Sequence, residues 1–410
     1  MVRKAILLAA LSIVAVWLAM WSGAWLMGRV VTTGSQRTWP MGLGTLSEVP
    51  GRHPVTKMSS GAARLIALAA PLGIDLAPRR MGDPPAEARP LAFVRGQLTK
   101  WAGEQVLIPT PEIEPVPGEA GEYLAGRAAD LTAIQTLLLS GEPVVWDENV
   151  YDPLGPLPNH IGTIQLCRVL VGRSLDRARA GDRGAWDDLR AAWHLMRPLA
   201  DRNELVATIL LLGGVRMIDA AARKLPAPAP EWLQELHAFD FRRAAIATIQ
   251  VEAWRIAERV YGETTIDAPE TAAGRLRRGA VDFVMGPYTR ASAADIADSV
   301  RRRAAEIAAM RACSLDPEVF ARRHPPSGWN VTALQISTPN IDTVLRRVLR
   351  WTPQREATAR ALALREGAPP NRQSACADGE WVYADDGRSF RFSREIADGS
   401  PFPIPLAFGL

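Results

Sequence analysis

The sequence predicts a mainly α-helical protein with a single N-terminal transmembrane helix, an antiparallel helical-hairpin body and a small C-terminal β-hairpin. Three observations carry that expectation. Residues 5–28 contain no charge; from residue 119 to 366 apolar side chains recur every three or four positions; and Asp386-Gly387 separates two short runs of alternating aromatics. The composition agrees. Of 410 residues, 48% are hydrophobic and 22% charged, which excludes a disordered chain, a collagen-like repeat and a polytopic membrane protein.

The stretch AILLAALSIVAVWLAMWSGAWLMG (5–28) is long enough, at about 1.5 Å per residue, to cross a hydrocarbon core of about 30 Å. Arg3 and Lys4 precede it, so residues 1–4 are expected inside and everything after Arg29 outside. A cleaved signal peptide is the rival reading, with Ser22-Gly23-Ala24 as its cleavage site; the length of the apolar run and Trp17, Trp21 and Trp25 speak for a retained anchor. Ala15, Ala19 and Gly23 recur every four residues, a small-residue face through which anchors can self-associate, although alanine is simply common in such helices.

Residues 29–58 lack helical periodicity and read as a linker, with Trp39 at the membrane interface. Residues 59–107 form an N-terminal helical segment: Ser60 caps a helix carrying Leu65, Ile66, Leu68 and Leu72, and a second helix over 90–104 aligns Leu91, Val94, Leu98 and Trp101. Prolines at every second to fourth position make 108–118 an extended spacer.

The main helical domain is 119–366. Helices are predicted at 119–140, 160–180 with Asn159 as N-cap, from Asp182 through Met196, and at 204–224, 231–239, 241–260 and 291–312. Shorter ones follow at 316–323, 340–351 and 353–366. Gly141 and Gly181 sit where C-caps belong. Residues 178–198 resemble one helical hairpin of the tetratricopeptide type; no second copy occurs at a fixed period, so the segment is a generic αα-hairpin.

Residues 367–410 change character, with a β-hairpin over 380–393. A turn at Asp386-Gly387 opposes Tyr383 to Phe390 and Trp381 to Phe392 on one face, and Val382 to Arg391 on the other. A one-residue slip would lose the aromatic pairs. Two strands alone are marginal, so this face must lie on the helices or add to another strand.

Of three cysteines, Cys167 falls on an apolar helical stripe and reads as a buried free thiol, whereas Cys313 and Cys376 lie beside loops and are candidates for a disulfide. The five histidines are far apart, and neither His nor Cys shows metal-ligand spacing; no metal and no cofactor is expected. No nucleotide-binding loop, zinc-protease motif or nucleophile elbow is present.

One loop, 146–160, has the density of a site. Asp147, Glu148 and His160 are its candidates for acid–base chemistry, and Trp146 and Tyr151 for binding, against the plainer reading of a surface loop. Arg301, Arg302 and Arg303, like Arg275, Arg277 and Arg278 and the run Arg346, Arg347 and Arg350, are candidates for contact with anionic lipid or glycan, or members of an ion-paired face in which Asp298 meets Arg302.

These features suggest a single-pass protein of the bacterial inner membrane, N-inside, whose extracytoplasmic body is an interaction or scaffold module with a protein partner in the envelope. An anchored hydrolase-like enzyme using the 146–160 loop is the alternative, and Arg-mediated contact with anionic lipid or glycan a second. The net charge of +4 falls to +2 once Arg3 and Lys4 are assigned to topology, so nucleic acid is not an expected partner.

Overall fold

The computed structural model describes residues 2–35, 37–79, 91–149, 152, 156–202, 204–261, 291–293, 295–325, 327, 338–397 and 403–410. It is mostly helical, with one three-stranded antiparallel sheet near the C-terminus. The chain forms two compact units. One comprises Met1–Arg52, Ile246–Ala309 and Asp316–Asp342; the other His53–Ala245, Met310–Leu315 and Thr343–Leu410.

In the first unit, helix α1 spans Val2–Ser35, seven residues beyond the apolar run. Its window Ile6–Gly23 has the length and composition of a membrane anchor or a signal sequence, and none of it is buried. Residues 29–58 differ from the expected linker. Helix α1 takes the first of them, and Trp39, Leu43, Leu46 and Val49 are buried, so Trp39 is not interfacial. Apolar residues there are too sparse for a period. Instead Gly42 and Gly44 turn the chain at φ of +71° and +65°, and a Thr45–Glu48 capping box opens a short 3-10 turn before α2 (Val49–Arg52). The Gln250 amide closes this corner by donating to the carbonyls of Leu43 (3.3 Å) and Thr45 (3.3 Å), while its oxygen accepts from Arg52 at 2.8 Å. Residues 291–293 and 295–309 are helical, with Ile296, Val300, Ala304 and Ile307 buried. Met310 lies past the helix end.

The second unit holds the main core. Helix α3 (Ser60–Ala69) is capped by Ser59, one residue earlier than expected, whose hydroxyl accepts from Ala62 N at 3.2 Å. Helix α4 covers Ala92–Gln105 and buries Leu98 and Trp101. The expected helix 119–140 is two, α5 (Gly118–Gly126) and α6 (Ala128–Leu139), broken at Arg127 with φ −115°. Gly126, a weak helix former, precedes the break. The proline-rich 108–118 is extended but pinned: Gln105 Oε1 accepts from Glu114 N at 2.9 Å, and Lys224 Nζ donates to the carbonyls of Thr110 and Glu112, both at 2.7 Å.

Helix α7 (His160–Arg179) is capped by Asn159, which accepts from Gly162 N at 3.0 Å. Gly162 sits against the Asp75 carbonyl, where a Cβ would come within 1.9 Å, so only glycine fits. Gly181 ends the helix with φ +74°, and helix α8 (Ala185–Met196) begins three residues after Asp182, burying Trp186, Leu189, Trp193 and Met196. Helices α9 (Leu205–Ala222) and α10 (Trp232–Ala238) follow, and α11 (Phe241–Tyr261) starts in this unit and belongs to the first from Ile246 onward. Helix α9 is apolar and long enough to cross a membrane, yet 72% of it is buried in the fold, and it serves as a core helix. The two helices expected on either side of Pro353 are one, Thr338–Arg365. Proline removes one intrahelical bond, and contacts to α9 hold the helix on both sides of it, as described below.

The sheet runs β1 (Trp381–Tyr383), β2 (Ser389–Phe392), β3 (Ala407–Gly409). Its register is the predicted one: Trp381 opposite Phe392, Val382 opposite Arg391, Tyr383 opposite Phe390. The turn lies one residue earlier than expected. Gly387 N donates to Ala384 O at 2.9 Å, which centres the turn on Asp385-Asp386 and leaves Gly387 in the left-handed region at φ +66°. The aromatic face does both things asked of it. Phe390 pairs Phe408 of β3, and Trp381, Phe390 and Phe392 share a core with Ala357 and Ala361 of the long helix.

Candidate functional site

Trp146 belongs to the core rather than to a surface, and its carbonyl accepts from the Thr56 hydroxyl at 2.7 Å. Asp147 Oδ1 accepts from Met58 N at 2.7 Å. Glu148 pairs its backbone with Thr56 (2.9 and 3.2 Å), and its carboxylate accepts from Arg202 at 2.9 Å. His160 opens α7, with Nε2 in a short hydrogen bond to the Glu204 carboxylate and a buried Nδ1 that has no partner among the described residues. Tyr151 lies outside the described residues. Glu148 and His160 thus flank one short stretch, 202–204, while Asp147 faces another segment.

The partners Arg202 and Glu204, both buried, were not singled out in the sequence. The available signal was the charged tetrapeptide 201–204 between two apolar helices. A carboxylate on Nε2 orients the imidazole, as in acid–base dyads, and the Arg202–Glu148 pair neutralises the second carboxylate. The arrangement therefore ties the 53–59 and 146–149 segments to the start of α9.

A second polar group escaped the sequence reading. Asp219 of α9 accepts from His237 at 2.8 Å and from the Thr358 hydroxyl at 2.7 Å, and Arg223 Nε donates to Thr358 at 2.9 Å. One turn away, Arg216 Nε donates to Gln354 Oε1 at 2.9 Å, and the Gln354 amide returns a bond to the Arg216 carbonyl at 3.0 Å. These bonds lie just after Pro353, and Arg347, before it, donates to the Ile209 carbonyl at 3.5 Å, so the long helix is held to α9 on both sides of the proline. Burial lowers the Arg223 pKa, and Asp219 opposes that loss.

In the α7–α8 hairpin, Asp188 is fully buried between Arg173 (3.5 Å) and Arg177 (3.1 Å). Burial pushes its carboxyl up to about 6, against the pull of both guanidiniums. Cys167 is buried and free, its thiol pushed up to about 12 by burial, so it stays protonated and unreactive.

Cys313 and Cys376 are joined in a disulfide, Cα–Cα 5.4 Å, beside the sheet core. Asp378 clamps the same junction: its carboxylate accepts from Cys313 N (2.9 Å), Ser314 N (3.0 Å) and the Ser314 hydroxyl. Burial raises its pKa, but these donors outweigh it and hold the carboxyl below the usual range. Ligand atoms of Cys313, Cys376 and Asp378 lie within 4.8 Å of one another, yet bonded sulfurs offer no thiolate to a metal.

The arginines 301–303 each have an internal acceptor. Arg301 and Arg302 meet Asp298 at 3.0 and 3.4 Å, the latter being the predicted i,i+4 pair, and Arg303 is buried with its Nε donating to the His324 carbonyl at 3.3 Å. Burial opposes the charge on Asp298, but Arg301, Arg302 and Arg37 prevail and keep its pKa low. Arg275, Arg277 and Arg278 lie outside the described residues. The third run differs: Arg346 and Arg350 line a cavity of about 500 Å³ against the sheet.

By fold and side-chain chemistry the chain is a mostly helical protein with a disulfide-tied C-terminal sheet. No family model, no curated protein and no solved structure matches it.

Proposed function

We propose that the chain is a membrane-tethered interaction or scaffold module whose body lies outside the cytoplasm in the cell envelope. The observation that carries the proposal is α1, whose apolar window Ile6–Gly23 is entirely unburied while the apolar residues of the second unit pack into a continuous core. An unburied apolar window of eighteen residues is costly in water and stable in lipid. The Cys313–Cys376 disulfide supports an oxidising compartment, which an N-inside anchor provides. The polar groups at 146–160 support a structural role over catalysis, because Asp147, Glu148 and His160 each bind a different internal partner. The Ala15, Ala19 and Gly23 face offers a route to self-association, and Gly23 has open space where a Cβ would go.

The test is alkaline carbonate extraction of membranes from cells making the full chain, followed by protease treatment of spheroplasts. The full-length chain should stay with the membrane, and externally added protease should degrade the body. A shorter, soluble mature form would establish signal-peptide cleavage instead. Crosslinking from native membranes should then return a reproducible protein partner; recovery of none removes the scaffold reading.

A further inference from the structure

We infer that the open face of the C-terminal sheet is a binding site for a small aromatic carboxylate. The register turns Trp381, Phe390, Phe392 and Phe408 onto the helices. The alternate residues face the other way: Val382 and Ala384 from β1 and the residue after it, Ser389 and Arg391 from β2, and Ala407 and Gly409 from β3. Antiparallel sheets that show one face to water alternate apolar inside with polar outside. Here the outside carries one charge, one hydroxyl and otherwise Val, Ala and Gly. These residues line a cavity of about 520 Å³, bounded beyond β3 by Pro109 and Thr110. That wall is fixed at two points. Gly409 N donates to Pro109 O at 2.9 Å, and the buried Lys224 donates to the Thr110 carbonyl at 2.7 Å.

Charge, floor and edge choose the ligand class. Arg391 is exposed, lies on the middle strand between Val382 and Ala407, and has no ion-pair partner among the described residues. One cation in an otherwise uncharged lining matches one negative charge, and its planar fork matches a carboxylate. Around it the floor is nearly bare. Ala384 and Ala407 end at Cβ and Gly409 has none, and a Cβ placed on Gly409 would come within 3.2 Å of the Ser389 Cβ. Such a floor admits the face of a planar ring against the pleat, where a neighbouring guanidinium can stack on it. The volume is that of a small-molecule site. An extended peptide would need a free ladder, and the outer edge of β3 does not offer one. The Gly409 N–H is taken by Pro109, while Pro405, two residues back on the same edge, has no N–H and gives its carbonyl to Arg223 at 2.8 Å.

Calorimetric titration of the full chain in a neutral detergent tests the site, with naphthoate as the probe. Naphthamide lacks the charge, hexanoate lacks the ring, and N-acetyl-Gly-Gly-Phe carries both on a peptide. Naphthoate should bind saturably in the sub-millimolar range, with naphthamide and hexanoate each weaker by about fivefold or more. Arg391→Gln, at an exposed strand position, should weaken naphthoate by about tenfold and leave naphthamide unchanged, with the melting temperature of the unliganded protein kept. Ala407→Leu fills the floor and should weaken naphthoate and naphthamide alike. If that variant fails to fold, Arg391→Gln still decides the matter. No saturation by naphthoate up to about 5 mM overturns the proposal. So does equal affinity for naphthamide or hexanoate, or unchanged affinity in Arg391→Gln. Tighter binding of the peptide assigns the face to a protein C-terminus and overturns the small-molecule reading.

Discussion

Asp219 and Thr358 meet across 139 positions of sequence, the threonine hydroxyl donating to Asp219 Oδ2 at 2.7 Å in a fully buried site. The same carboxylate accepts from His237 of α10 and faces the Arg223 guanidinium at 3.6 Å, so one side chain of α9 serves α10, the long helix and the residue after its own helix. Asp219→Ala strips the buried Arg223 of its counter-charge and should cost about 3–5 kcal/mol. Thr358→Val removes one neutral partner and should cost about 1–2 kcal/mol. Denaturant midpoints at constant m-value would report both, and equal costs would contradict this picture.

Reduction of the Cys313–Cys376 bond should lower stability by about 2–4 kcal/mol, since it frees a loop with a sequence separation of 63 in the unfolded chain. A double Cys→Ser variant should lose the same amount and become insensitive to dithiothreitol. Non-reduced peptide maps should show the Cys313 and Cys376 peptides joined, and Cys167 alone should titrate with a thiol reagent, only after unfolding.

Asp188 makes stability depend on pH in a defined direction. Its folded-state pKa of about 6 exceeds the usual carboxyl value because of burial, with Arg173 and Arg177 opposing. A raised pKa favours the folded state while the group is protonated, so this contribution is full at low pH and is lost as pH rises through about 6. Asp188→Asn removes the dependence. Relative to the parent chain, the variant should gain about 2 kcal/mol between pH 4.5 and 7.5. A flat difference across that range would show that Asp188 ionises normally. Asp378, held low by its donors, acts in the opposite sense and weakens the fold as acid protonates it.

Truncations at the 146–160 loop should rank by partner rather than by catalysis. Glu148→Ala leaves the buried Arg202 without its carboxylate and should cost about 3 kcal/mol. Asp147→Ala removes one hydrogen bond at a half-buried position and should cost about 1 kcal/mol or less. His160→Gln, which can still donate to Glu204, should fall between them. Thermal melts of the three variants would check the order. A phenotype in a variant with an unchanged melt would restore the enzyme reading.

Local signals were legible wherever one residue type answers one local need. Asn159 caps α7, Gly181 ends it, and the aromatics around Gly387 set a register in which any slip breaks two pairs. The same local logic erred by a residue or more where neighbours compete for the role. Ser59 rather than Ser60 caps α3, and the hairpin turn moved to Asp385-Asp386. It failed outright at Pro353. A proline predicts a break, and what keeps the helix whole is Arg216, Arg223, Gln354 and Thr358, paired across more than 130 residues.

The sequence by itself determined the apolar N-terminal helix, the helical class of the body and the strand pairing, because hydrophobic period and turn chemistry act over a few residues. Only the tertiary structure decided which charged residues matter. It gave Glu148 and His160 to Arg202 and Glu204, engaged Arg301–Arg303 internally, and set Arg391 in the cavity on the open face of the sheet. Electrostatic partners are chosen by distance in space and by burial, and neither has a period that a linear sequence displays.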